Sequence, residues 1–183
     1  MAFKNKIINN TKTGQSFRFI QTGKETDGQL LEMESTFRPQ SVEPPSHHHP
    51  FQEEYFVILE GELTVRIDGQ LKIFKQGDAL HIPVNKIHSM WNNSNSKTVV
   101  NWKVQPAMDT EGLLKTVTGL ANDGKTNDKG VPNLLQAVLM ANKYSSVFRL
   151  AKPPFYIQKI LFMILVPLSY LLGYKPVYKK YFD

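Results

Sequence analysis

From Gln15 to Gln105 the chain is a succession of short runs of β-branched and aromatic residues, interrupted by Gly, Pro and Asn about every ten residues. That rhythm suits a β-sandwich or a small β-barrel. Eight runs qualify as strands, at 16–21, 30–37, 54–59, 62–67, 70–74, 79–82, 88–91 and 98–104. Eight is enough to close a barrel. Asp68-Gly69 falls between two of them and predicts a hairpin, because both residues tolerate positive φ.

After Pro106 the apolar spacing becomes helical. Asp109 and Thr110 suit the cap of a short helix reaching Leu120, and a polar, Gly-containing loop follows at 122–130. Pro132 suits the N1 position of a second helix, whose Leu134, Leu135, Val138 and Leu139 form an apolar stripe. Pro153-Pro154 opens a third helix, expected to run to Leu172 with a kink at Pro167 and Gly173 just beyond its end. A length of 183 residues suits one core domain plus an extension. The expected organisation is a β-barrel domain over 1–105 and a helical extension over 106–183. With 41% hydrophobic and 21% charged residues, disordered, collagen-like and coiled-coil chains are excluded.

The densest chemical cluster is Pro45-Ser46-His47-His48-His49-Pro50-Phe51-Gln52-Glu53-Glu54, which holds three of the five histidines. In an extended segment side chains alternate, so His47 and His49 project to one face and His48 to the other. The pair can converge on one ion. A carboxylate a few residues later can turn in beside them, and the distant His88 can complete a site of three nitrogens and one oxygen. Zero cysteines exclude thiolate ligands, iron–sulfur clusters, disulfides and cysteine nucleophiles, leaving His, Asp and Glu to hold any metal. Imidazole suits iron, nickel, copper or zinc, and a carboxylate also admits manganese.

On these residues the sequence resembles the cupin family. Its first motif, G-x5-H-x-H-x3or4-E-x6-G, is matched by His47, His49, Glu54 and Gly61. Its second, G-x5-P-x-G-x2-H-x3-N, is matched by Gly77, Pro83, His88 and Asn92, with fifteen residues between Gly61 and Gly77. Ser41 and Asn85 stand where the motifs have Gly; Asn85 is suited to the same turn because Asn also adopts positive φ. The resemblance implies a double-stranded β-helix, or jelly-roll barrel, with a metal site inside it. It also implies metal ligation by His47, His49, Glu54 and His88, with Glu54 the candidate catalytic group. Glu53 is the alternative to Glu54, and the six-residue spacing to Gly61 favours the latter. His81 reads as a barrel-wall residue.

The fold does not select a reaction. Alternation turns Phe56, Ile58 and Met90 inward, with Trp102, Met33 and Phe37 beside them, as ordinary core or as the wall of an apolar, partly aromatic cavity. The expected function is therefore a metal-dependent enzyme acting on a small apolar or aromatic molecule, dioxygenase-like, with isomerase or lyase chemistry as further options. The rival from another class is a non-catalytic sensor of a metal or small ligand.

The first ten residues contain no apolar signal-like stretch, and a cytoplasmic location is expected. Seven basic residues lie between Lys143 and Lys180 against Asp183 alone, so this tail carries the whole net charge of +6. Within it Ile160 to Tyr174 is uncharged, and Leu161 to Val166 is apolar on every side. Such a helix requires cover from the barrel, from a second copy in a homodimer, or from a membrane interface touching residues 153–183. Nothing in the helical part resembles a polar recognition helix, and nucleic acid is not expected as a partner.

Overall fold

The structure, a computed structural model, describes residues 4–182. Met1, Ala2 and Phe3, which begin the barrel segment, and Asp183, the tail's lone acid, lie outside the described residues. In chain order the strands are β1 (Ile7–Asn9), β2 (Ser16–Gln21), β3 (Leu31–Phe37), β4 (His47–His48), β5 (Glu53–Glu60), β6 (Glu62–Ile67), β7 (Gln70–Lys75), β8 (Ala79–Ile82), β9 (His88–Trp91), β10 (Thr98–Gln105) and β11 (Arg149–Leu150). The helices are α1 (Thr110–Asn122), α2 (Leu134–Lys143) and α3 (Phe155–Leu171), followed by a single 3-10 turn at Lys179–Tyr181.

All eight predicted strands form, within a residue at each end. The strands β1, β4 and β11 are additional. With two or three residues each, they carry no periodic signal of their own and exist through their partners. One antiparallel sheet has the order β1-β2-β3-β10-β5-β8, and the other the order β11-β4-β9-β6-β7. Their facing sides form the jelly-roll interior.

Alternation decides what enters that interior. Strand β5 buries Glu54, Phe56 and Ile58 and turns Tyr55, Val57 and Leu59 outward, while β3 buries Leu31, Met33, Ser35 and Phe37. Trp102 and Met90 pack against the same core, so the six residues expected inside the barrel are found there. Asp68 and Gly69 have φ of 48° and 84°, and Ile67 faces Gln70 across the hairpin they close. Gly61, at φ 76°, lies so close to the Lys97 carbonyl that a Cβ would collide with it. The glycine that ends the first motif is thus required by backbone approach as well as by conformation.

Two helix-cap expectations need correction. Pro132 is not at N1 of α2, because Asn133 occupies the cap and its side chain accepts a bond from the Gln136 N–H. A capping amide satisfies a free N–H that proline at N1 would leave untouched. Asp109 does precede α1, but its side chain makes no capping bond. It lies 3.4 Å from Lys143 on α2 instead. Nor is the extension purely helical: β11 pairs with β4, Arg149 opposite His48 and Leu150 opposite His47. Helix α3 continues through Pro167 and packs against α2.

Candidate metal centre

Three segments from both sheets converge on one point. His47 on β4 lies directly opposite His88 on β9. His49 follows on the crossing from β4 to β5, where its carbonyl accepts the Asn85 N–H at 2.8 Å. Asn85 has φ 63°, so it supplies the turn for which the motif uses glycine. Glu54 enters from β5, on the opposing sheet. One ring nitrogen from each of His47, His49 and His88 lies within 4.8 Å of the others. Glu54 Oε2 sits 3.0 Å from His88 Nε2 and 3.3 Å from His49 Nε2.

The orientation of the rings is set by their far sides. Nδ1 lies 3.0 Å from the Pro45 carbonyl in His47, 2.9 Å from the Lys86 carbonyl in His88 and 2.6 Å from the Val147 carbonyl in His49. A carbonyl only accepts, so each Nδ1 carries a proton, and each Nε2 faces the centre, where it presents a lone pair whenever its ring is neutral. Trp102 Nε1–H donates to Glu54 Oε1 at 3.1 Å, leaving Oε2 to face the imidazoles. His49, Glu54 and His88 are 6%, 1% and 1% exposed. Yet His49 Nε2, His88 Nε2 and Glu54 Oε2 are buried without a hydrogen bond of acceptable geometry. Buried polar atoms left unpaired at one point are the arrangement a cation would complete.

The carboxylate and the imidazoles set one another's charge. Burial pushes the His47 imidazole down to about 3, and the rings of His88 and His49 add to the effect, so it is neutral at pH 7. Burial would raise the Glu54 carboxyl, but His49 and His88 outweigh it and hold the group well below the usual range. Burial likewise opposes charging of His49, and the Glu54 carboxylate overcomes that and moves its pKa up.

The other charged candidates face elsewhere. Glu53 points outward, accepting from Tyr55 at 2.7 Å and lying 3.0 Å from His81 Nε2. The His81 ring stacks on Tyr55 with 4.5 Å between centroids. His81 is therefore a wall residue, and Glu54 is the carboxylate inside. His48 is not part of the cluster. Ser41, the other departure from the motif, accepts the Asn92 N–H through its hydroxyl at 2.8 Å, which joins the two motifs.

Sequence reasoning missed Val147 and Phe148. The Phe148 ring stacks on His47, with 4.6 Å between centroids, and covers that side of the cluster. No motif marks either residue; the nearest signal is the apolar pair itself, between the end of α2 and Arg149.

A family model described as a cupin domain matches residues 33–102. Over 152 residues, 76% of the chain, the sequence is 30% identical to the "Probable oxidoreductase virH" of Hypocrea virens and spans 68% of that protein. The chain belongs to the cupin superfamily. This cupin is also 37% identical over 75 residues to the quercetin 2,3-dioxygenase of Bacillus subtilis, a match covering 41% of the chain but only 22% of that enzyme. Among solved structures, a predicted oxalate decarboxylase from Thermotoga maritima superposes with a TM-score of 0.50 at 18% identity, over 58% of this cupin and 99% of that chain. That likeness concerns the fold alone.

Proposed function

We propose that this cupin binds one divalent transition-metal ion through His47, His49, His88 and Glu54, and uses it for oxygenase-type chemistry on a small apolar or aromatic molecule. The observation that carries the reading is the convergence of His49 Nε2, His88 Nε2 and Glu54 Oε2 as buried atoms without hydrogen bonds, each held from behind by a specific partner. Similarity to a quercetin 2,3-dioxygenase supports the oxygenase choice over isomerase or lyase chemistry. The ion would supply a Lewis-acidic centre, redox-active where it is iron, manganese, nickel or copper; the same nitrogen and oxygen donors also accept zinc, which has no redox chemistry.

The chain's own residues perform the rest. The carbonyls of Pro45, Lys86 and Val147 keep the imidazoles in one tautomer. Trp102 fixes one oxygen of Glu54, and the other, ionised at neutral pH, faces His49 and His88, where it would ligate the ion; swung off the ion it would serve as a proton acceptor. Low exposure at His49, Glu54 and His88 excludes water, which strengthens every charge interaction there.

Elemental analysis of tag-free protein beside a His49→Ala/His88→Ala variant tests the site. Close to one ion per chain, lost in the variant, is expected. Oxygen uptake with flavonoids, catechols and other small aromatics then tests the reaction. Metal bound without turnover on any of them would instead favour the non-catalytic sensor, and no metal even after reconstitution would overturn the metal-dependent enzyme and favour a barrel that binds a small ligand.

A further inference from the structure

Helix α3 is built inside out. Its two buried residues are polar: Gln158 and Ser169 are 4% and 0% exposed. Gln158 Nε2 donates to the carbonyls of Leu150 and Pro153, and Ser169 Oγ to those of Leu165 and Leu135. These bonds hold α3 to the turn after β11 and to α2. The face turned away from the protein is apolar, with Ile160 55%, Met163 77%, Ile164 63% and Leu171 84% exposed. At 3.6 residues per turn these four fall within about 100° of arc, a continuous stripe with Tyr156 at one end. A helix facing water carries the opposite pattern, so this stripe requires an apolar cover.

The cover is identified by charge. From Tyr144 to Phe182 the chain contains Arg149, Lys152, Lys159, Lys175, Lys179 and Lys180 and no acidic residue. Lys180 pairs with Asp123, whereas Lys152, Lys159, Lys175 and Lys179 have no acidic partner among the described residues. A second copy docked on the stripe would bring the same unpaired lysines together with no acid from either segment between them. An anionic lipid surface supplies both an apolar interior and the complementary charge. The helix has 17 residues, about 25 Å at 1.5 Å per residue, and no helix among the described residues is long and apolar enough to cross a membrane.

We propose that α3 is a membrane-docking helix that lies flat in the interface of an anionic bilayer, its Ile160–Met163–Leu171 stripe immersed and the flanking lysines against the headgroup phosphates. Exposed Tyr156 and Tyr170, near the two ends, sit where an aromatic ring with a polar tip prefers the headgroup level.

The test is co-sedimentation of the full chain with vesicles of equal parts phosphatidylcholine and phosphatidylglycerol, beside vesicles of phosphatidylcholine alone. Binding to the anionic vesicles is expected, weakening with salt and by about fivefold for each of Lys159 and Lys175 changed to Ser. The double variant Met163→Glu/Leu171→Glu should abolish binding while leaving the melting temperature unchanged, because both side chains are already exposed. Absence of binding to anionic vesicles at low salt would overturn the proposal. So would sedimentation velocity showing a wild-type dimer that the same double variant dissociates, since a second copy would then cover the stripe.

Discussion

Replacing Trp102 by Phe separates the role of the indole N–H from the packing of its ring. Trp102 donates to Glu54 Oε1 at 3.1 Å and stacks on Phe56 with 5.4 Å between centroids. Phenylalanine keeps an aromatic ring and deletes the donor. A hydrogen bond to a charged acceptor contributes about 1.5–3 kcal/mol, and the smaller ring adds about 1–2 kcal/mol of lost packing. For a chain of this length each kcal/mol corresponds to about 2–4 °C, so the metal-free protein should melt roughly 5–20 °C lower.

The second readout is metal binding. Loss of a partner that orients a ligand commonly weakens a metal site by about 10–100-fold. At a free-metal concentration one hundred times the wild-type Kd, metal adds about 2.7 kcal/mol of stability, and a tenfold weaker site would retain about 1.4 kcal/mol. Calorimetric melts with and without metal should therefore show the metal-dependent increment falling to about half or less. An undiminished increment on top of a lower metal-free melting temperature would refute the reasoning. Trp102 would then be packing alone, and Glu54 would need no anchoring at Oε1.

Two further changes follow from the same structure. Phe148→Ala removes the ring stacked on His47, and a chelator is expected to strip metal about tenfold faster, at a cost of about 1–2 kcal/mol in stability, measured by chelator chase and urea unfolding. Glu43 accepts from Arg66 at 2.8 and 3.2 Å and from Ser89 at 2.7 Å, which ties the loop before β4 to β6 and β9. The Arg66 bonds, aided by Ser89 and opposed by burial, lower its carboxyl below 4.5. A lowered native pKa contributes stability above the unfolded value that is lost as pH falls through the native one. Glu43→Gln should therefore cost about 1 kcal/mol at pH 7, allowing for solvent screening, with the difference from wild type fading in urea melts below about pH 4.

The barrel strands were legible because their signal is local. Alternation of buried and exposed side chains needs only the neighbours in the run, and 16–21, 62–67, 79–82 and 88–91 match the structure residue for residue. The pairing of His47 with His49 follows from the same period of two. Two of the three carbonyls that orient the histidines are equally local, since Pro45 and Lys86 each stand two residues before the ring they hold. The third is not. Val147 lies 98 residues from His49, and a backbone carbonyl leaves no mark on residue type.

The sequence by itself determined the strand rhythm, the turns at Asp68-Gly69 and Asn85, and which side chains share a face, because each depends on φ preferences and alternation within a few residues. Spacing and alternation already favoured Glu54 over Glu53, whereas only the tertiary structure set its carboxylate against the imidazoles and decided that Trp102 holds it and that β11, Val147 and Phe148 close over the cluster. Those contacts join segments brought together by sheet pairing and chain reversal, where the free energy comes from burial shared between distant residues and is written in neither segment alone.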